Sequence, residues 1–264
     1  MPDAIGVGIH RQFARAARLS VRFRQRIESL PLRAACRKEG VPLPPGRLIH
    51  LVAGTEDTRW FLESGSRAVN WIDTTLSRQG YALRDFGAFL DFGCGVGRVL
   101  RHWNRLEGPT IFGTDYNSSL ITWCRDHLSF VDCELNALDR PLTHADGSLD
   151  FVYALSVFTH LSEESHRFWM YEIARILKPG GLILLTTHGR CYRDHLTDIE
   201  QANFDEGRLV VKKAGRQGTN DCAAFHPESY VRESLAAGFE VIDYQPEGAI
   251  ANPRQDYYLL RKLV

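Results

Sequence analysis

Residues 88–103, AFLDFGCGVGRVLRHW, decide how the chain folds. The apolar run AFLDF has the length and composition of a buried strand. It leads into three glycines at alternate positions, Gly93, Gly95 and Gly97, and then into a segment over about 97–106 that reads as a helix. A strand, a glycine loop and a helix in that order bring backbone close to a ligand at the end of a sheet. The dinucleotide fingerprint G-x-G-x-x-G is broken, because Arg98 stands where a third glycine must let helix and strand pack closely. The Lys-Ser/Thr of a phosphate-binding loop is missing too. What the stretch does carry is Asp91, two residues before the first glycine. A carboxylate there suits a cationic amino group rather than a pyrophosphate.

From this stretch the pattern extends in both directions. Short apolar runs predict strands at 88–92, 110–114, 131–135, 150–155, 182–187, 239–244 and 257–261. Helical stretches are expected at about 97–106, 117–128, 163–178 and 228–237. Such alternation predicts a parallel sheet covered on both faces. Ser162 followed by Glu163 and Glu164 reads as a helix start, and RILKPGG at 175–181 as a stop. The last two strands are joined by QPEGAIANPRQD, too short for a crossover helix, so they are expected to run antiparallel. Residues 188–226 form an irregular insertion, with one extra strand expected at 209–213 and a role in the substrate pocket.

Upstream, residues 9–38 read as an amphipathic helix interrupted at Pro31, followed by the proline-rich connector VPLPPG at 41–46. A helix is expected over 66–79, capped by Ser66 and stopped by Gly80. Trp60 and Phe61 just before it fit either a lid over the cleft or ordinary core packing. The expected division is therefore 1–80, an Arg-rich helical extension and cap, and 81–264, the α/β domain.

The chain has 44% hydrophobic and 24% charged residues and no net charge, values of a soluble globular protein and not of an electrostatic nucleic-acid binder. Residues 1–47 carry ten Arg/Lys and three Asp/Glu, a local +7 that the remainder balances. An acidic partner, a membrane surface or nucleic acid would fit that charge. The apolar stripe favours an arm packed on its own domain or on a homodimer mate. No run approaches the ~18 apolar residues of a membrane span, and the N-terminal stretch does not read as a secretory signal. The six cysteines lack any C-x-x-C pair, which predicts neither a metal site nor a disulfide framework and fits a cytoplasmic protein.

Asp115, at the end of the second strand and 20 residues after Gly95, can accept hydrogen bonds from two ribose hydroxyls. Neighbouring Tyr116 can pack on a base. Taken in order, LDFGCGVGR, GTDYN, LNALDRPLTHADGSLDFVYALSVFTHL and ILKPGGLILLTT resemble the class I S-adenosylmethionine-dependent methyltransferases, small-molecule type. The resemblance covers about residues 85–264. It implies a Rossmann-like sheet of seven mostly parallel strands with the last antiparallel, preceded here by the N-terminal extension. It further implies that Gly93, Cys94, Gly95 and Gly97 approach the methionine and ribose parts of S-adenosylmethionine, with Asp91 near the amino group. Asp115 and Tyr116 would hold the ribose and base. Asn136 stands where the family often has an aspartate reading the adenine amino group, and Ala137 and Leu138 would line the ring. Leu155, Ser156 and Val157 would lie under the sulfonium.

Methyl transfer is an in-line displacement that needs alignment, and a hydroxyl or ammonium acceptor also needs a base. His160 and His188, after the fourth and fifth strands, are the catalytic candidates, each with a purely structural alternative. His226, Arg190 and Tyr192 are further pocket candidates. The N-P-P-[YF] motif of base- and amide-nitrogen methyltransferases is replaced by ALSVF, which points to a small-molecule or glycan-type acceptor methylated on O or N, S-adenosylhomocysteine being the coproduct. A non-catalytic cofactor-binding scaffold is the alternative. An NAD-dependent oxidoreductase is disfavoured by Arg98 and LKPGG.

Overall fold

The computed structural model describes residues 29–250 and 254–263. They fall into two compact units, one ending at Glu63 and one beginning at Ser64, where the sequence pattern places a boundary after residue 80. The amphipathic arm expected before residue 29 lies outside the described residues.

The first unit is helical. Helix α1 (Leu30–Lys38) places Pro31 in its first turn, where the missing N–H has no helical partner to lose. Helix α2 (Gly46–Ala53) follows the proline run and ends at Gly54, which is left-handed at φ 66°. The Asp57 side chain then accepts the Trp60 N–H at 3.0 Å. Helix α3 (Thr58–Arg78) consequently starts well before Ser66. Phe61 is fully buried and Trp60 half-buried.

In the second unit the strands are β1 (Ala88–Phe92), β2 (Thr110–Asp115), β3 (Asp132–Leu135), β4 (Leu149–Ala154), β5 (Leu177–Thr187), β6 (Val210–Lys212), β7 (Ala223–Phe225), β8 (Phe239–Gln245) and β9 (Asp256–Lys262). Seven of them make one sheet in the order β3-β2-β1-β4-β5-β9-β8. The pairs β1–β2, β1–β4, β2–β3 and β4–β5 are parallel, while β9 is antiparallel to both neighbours, as expected for the last two strands. The Rossmann-like class of the fold is thereby established. Strand β5 begins directly after helix α5 (Glu163–Ile176), and its Lys178–Gly181 segment bulges out of register with β4.

Alternation along β1 sends Leu90 and Phe92 to one face and Phe89 and Asp91 to the other. On the first face, Leu90, Val152, Ile183 and Leu185 pack with Trp169 and Ile173 of α5 and with Tyr258 and Leu260 of β9. Each such fully buried side chain contributes roughly 1.5–3 kcal/mol. On the second, Phe89 meets Trp103 edge-on at 5.9 Å and lies beside Phe151 and Tyr153. Helix α5 starts as its sequence predicts: the Ser162 side chain accepts the Ser165 N–H, and two glutamates occupy the positive end. Helix α4 spans Ser118–His127 and α6 Asp198–Asp205. The expected helix over 228–237 is a short turn, α7 (Glu228–Tyr230), that widens into a π turn at Val231–Leu235.

The expected helix over 97–106 does not form. Gly97 takes φ 72°, outside the helical region, and only a 3₁₀ turn at Leu100–Trp103 follows. This turn presses on α3 at Gly65, where an added Cβ would collide with the Arg98 carbonyl and lie 2.7 Å from His102 Nε2. Among the described residues no helix is long and apolar enough to cross a membrane.

Gly65 supplies a test of that packing. Helix propensity alone predicts that Gly65→Ala stabilises by about 1 kcal/mol. Overpacking against backbone costs about 1–3 kcal/mol. The collision is with a main-chain oxygen that cannot turn aside, so the net effect is expected to be a fall in melting temperature of roughly 2–6 °C. A rise in a thermal melt would refute the close approach.

Candidate active site

The strand order reverses between β1 and β4, so a crevice opens above the carboxyl ends of β1, β2, β4 and β5. The glycine loop forms its floor. All three glycines are left-handed, at φ 78° (Gly93), 57° (Gly95) and 72° (Gly97), a sequence of conformations that L side chains rarely adopt. Two of them also need the space: a Cβ on Gly93 would collide with Val157 Cγ2, and one on Gly97 would sit 2.5 Å from Leu128 Cδ1. The loop amides are engaged internally. Gly93 and Cys94 donate to the Thr114 carbonyl at 2.8 and 2.9 Å, Gly97 to the Cys94 carbonyl at 3.0 Å. Gly95 donates to Asp115 Oδ2 at 2.9 Å.

Asp115 is buried, and its Oδ1 accepts the Asn117 N–H at 2.8 Å. Burial raises its pKa, against the lowering pull of those two amide donors. Each oxygen keeps a further lone pair, which two vicinal hydroxyls could use. Tyr116 follows it. The Asn136 N–H donates to the Asp115 carbonyl at 3.2 Å, which brings Asn136, Ala137 and Leu138 alongside. The Asn136 side chain is turned to the Ala137 carbonyl at 3.0 Å.

Asp91 is more deeply placed than an exposed ligand-binding carboxylate. Tyr153 donates its hydroxyl to Oδ2 at 2.9 Å, and Trp103 Nε1–H donates to the Tyr153 oxygen at 3.2 Å. Burial pushes the Asp91 pKa up to about 7, opposed by the Tyr153 hydrogen bond and the Arg98 charge. Arg98, itself buried, is lowered by desolvation and held up by Asp91. Arg98 thus serves as a countercharge inside the fold and does not open a helix.

The insertion after β5 covers this crevice. Strands β6 and β7 form an antiparallel hairpin, and Phe225 bridges to His188 just beyond β5. Between them, Gly218 donates its N–H to the His160 carbonyl at 2.8 Å. A Cβ on Gly218 would lie 3.1 Å from the Tyr116 ring and 3.4 Å from Leu138 Cδ2. The Gln217 Oε1 accepts from the Ser162 N–H and the Ser165 hydroxyl at 3.1 and 2.7 Å.

Both candidate histidines carry a backbone acceptor at Nδ1. His160 Nδ1 lies 2.7 Å from the Cys222 carbonyl, and His188 Nδ1 3.2 Å from that of Ala224. A carbonyl requires the N–H tautomer there, leaving Nε2 of each neutral ring as an acceptor. Their rings stand nearly perpendicular at 6.2 Å. Burial lowers the His160 pKa, partly countered by Cys222. His188 is pushed down to about 4, by burial first and by the His160 charge second. His188 packs on Tyr192 at 4.2 Å and on Phe225. His226 is fully interior, stacked on His166 at 5.0 Å, and is no open pocket wall.

Two carboxyl groups flank a loop whose glycine amides are already bonded within the fold. That donor set lacks the free N–H cradle a phosphate needs and fits an ammonium and a ribose diol. The residues present thus suit an amino-acid-bearing nucleoside. Among the described residues no group of three His, Cys, Asp or Glu side chains could hold a metal ion.

Residues 90–185 match the family model described as a methyltransferase domain. The chain is 28% identical over 215 residues to the ubiquinone/menaquinone biosynthesis C-methyltransferase UbiE of Laribacter hongkongensis, covering 75% of this chain and 84% of that one. It is 26% identical over 197 residues to a ubiquinone biosynthesis O-methyltransferase of Thiobacillus denitrificans, covering 73% and 78%. Among solved structures, an S-adenosylmethionine-dependent methyltransferase of Methanosarcina mazei superposes with a TM-score of 0.54 at 20% identity, over 71% of this chain and 97% of that one. Fold and matches together define a class I Rossmann-like methyltransferase. The protein is an enzyme of that class, and its methyl donor is S-adenosylmethionine.

Sequence reading missed Tyr153, Gly218, Cys222 and the strand β7. Tyr153 looks like any strand aromatic until the register places it opposite Asp91. Gly218 and Cys222 sit in a stretch without periodicity.

Asp91 predicts a pH effect on the unligated protein. Its folded pKa is raised, so the stabilisation from its neutral form is complete below about pH 4 and is lost as the pH rises through about 7. Wild-type melting temperature should fall relative to Asp91→Asn across that window and then run parallel to it. A difference independent of pH would show that Asp91 is ionised throughout.

Proposed function

We propose that the protein methylates a hydroxyl oxygen of a small-molecule or glycan-type acceptor, with His160 as general base. The observation that carries this reading is the fixed His160 tautomer, with Nδ1 on the Cys222 carbonyl and Nε2 left as a proton acceptor in the turn that follows β4. In this reading Asp115 accepts the ribose hydroxyls, Tyr116, Asn136, Ala137 and Leu138 enclose the adenine, and Gly93, Cys94, Gly95 and Gly97 line the amino-acid portion with Asp91. Leu155 and Ser156 lie beneath the sulfonium. S-adenosylmethionine supplies an electrophilic methyl. Bound there, it would accept the acceptor oxygen's electron pair at that methyl carbon while the sulfur–carbon pair returned to sulfur. The hydroxyl proton passes to His160 Nε2. His188, packed against Tyr192 and Phe225, shapes the acceptor side.

The O-methyltransferase among the relatives supports an oxygen acceptor, and its small-molecule pathway supports the acceptor class. The C-methyltransferase relative favours a second reading, transfer to an activated ring carbon, in which a base would still remove a proton. A cytoplasmic location belongs to the same proposal.

Calorimetric titration with S-adenosylhomocysteine tests the cofactor part. Asp115→Ala should weaken binding by about 10- to 150-fold, the range for hydrogen bonds to a charged group. Equal affinity would remove Asp115 from the site. His160→Ala should bind S-adenosylhomocysteine normally and lose about 10²–10⁴-fold in turnover on a phenolic or sugar-hydroxyl library. Retained turnover would leave His160 a structural residue.

A further inference from the structure

Ser156, two residues beyond β4, has φ 62°, a left-handed conformation in a residue that has a Cβ. Nothing in its own sequence enforces this, and outliers of this kind persist only where the surroundings over-determine them. The surroundings are a closed ring of hydrogen bonds across three chain segments. The Ser156 N–H donates to Thr186 Oγ1 at 2.7 Å, at the carboxyl end of β5. The Thr186 hydroxyl donates to Gln255 Oε1 at 2.7 Å, in the residue just before β9. Gln255 Nε2 donates back to Ser156 Oγ at 2.8 Å. Ser156 Oγ also lies 3.2 Å from Thr159 Oγ1, which extends the ring into the turn before His160. Thr186 and Thr159 are fully buried, Gln255 nearly so and Ser156 half-buried.

Each member has one workable role. Thr186 Oγ1 accepts from a backbone amide, so its single proton is free for Gln255. With Oε1 accepting that proton, the Gln255 amide must present Nε2 to Ser156. The consequence reaches the glycine loop. The reversal at Ser156 delivers Val157 onto Gly93, so closely that a Cβ on Gly93 would strike Val157 Cγ2. The ring therefore sets both the end of β4 and the residue that packs on the first loop glycine.

We propose that Gln255 is a positioning residue for the methyl donor: through Ser156 and Thr186 it holds the β4 terminus in the left-handed turn that shapes the methionine end of the cofactor site. This rests on the reading that Leu155 and Ser156 lie beneath the sulfonium. No ligand contact by Gln255 itself is required. Leu and Glu replacements separate its two ends: leucine removes both hydrogen bonds, whereas glutamate can accept from Thr186 yet, when ionised, cannot donate to Ser156.

The test is a calorimetric cycle with S-adenosylhomocysteine, run well below each variant's melting temperature. Gln255→Leu should weaken binding at least 10-fold, and Gln255→Glu should fall between it and wild type. Glycine adopts φ 62° unaided, so in a Ser156→Gly background the same Gln255→Leu change should alter affinity less than threefold. Undiminished affinity in both Gln255 variants overturns the proposal. So does an equal loss in the two backgrounds, which would mark Gln255 as a general packing residue. If Gln255→Leu does not fold, Gln255→Glu alone decides, since unchanged affinity there also overturns it. A wild-type protein that does not bind S-adenosylhomocysteine fails the underlying site assignment, an outcome visible before any variant is measured.

Discussion

The hydrogen bond from Gly95 N–H to Asp115 Oδ2 joins the glycine loop to the acidic side chain at the end of β2. Three alternate left-handed residues make an unstable loop in isolation, since each glycine surrenders more backbone freedom on folding than any other residue. The loop is therefore fixed from outside, by the end of β2. The Thr114 carbonyl takes two of its amides and the Asp115 carboxylate a third. One side chain thus both shapes the loop and presents its remaining lone pairs to the crevice. Because the same amides are engaged, the loop cannot also grip a phosphate, and the kind of cofactor follows from how the loop is held.

A second constraint acts one strand away. Asp91 is enclosed by Tyr153, Trp103 and Arg98 on the aromatic face of the sheet. Desolvation outweighs both favourable partners, which is why its pKa rises instead of falling. Partial neutrality is the expected state of a carboxyl desolvated to this degree. Full ionisation without a close ammonium would leave a charge paired only by Arg98, a costly arrangement in a low-dielectric interior.

The sheet was almost wholly legible in the sequence, because buried strands announce themselves as short apolar runs and the antiparallel ending follows from a connector too short for a helix. Asp91, the loop glycines and Asp115 were legible because motif spacing survives without tertiary information. What failed was local. The segment after Gly97 has helix-forming residues, yet Gly97 at φ 72° and the docking of α3 at Gly65 hold it to one 3₁₀ turn. Gln255 lies 99 positions from Ser156, and no periodicity connects them. Neither is the left-handed state of Ser156 written in a residue type, since serine there has no turn signature of its own.

The insertion after β5 couples distant parts of the candidate site. Its hairpin continues the sheet only through the bridge at His188, while the segment before β7 reaches back over Tyr116 and Leu138. That segment is tied to the loop after β4 by the Gly218, Gln217 and Cys222 contacts. The Cys222 contact is the one that orients His160. A change that lengthened or loosened this stretch would therefore disturb the cover over Tyr116 and Leu138 and the His160 tautomer together. The span from Gln217 to Cys222 is constrained at both ends by the segment after β4, whereas Tyr192, Phe225 and the hairpin strands lie outside it. Variation among related enzymes should accordingly concentrate at Tyr192 and in the two hairpin strands, outside the span from Gln217 to Cys222.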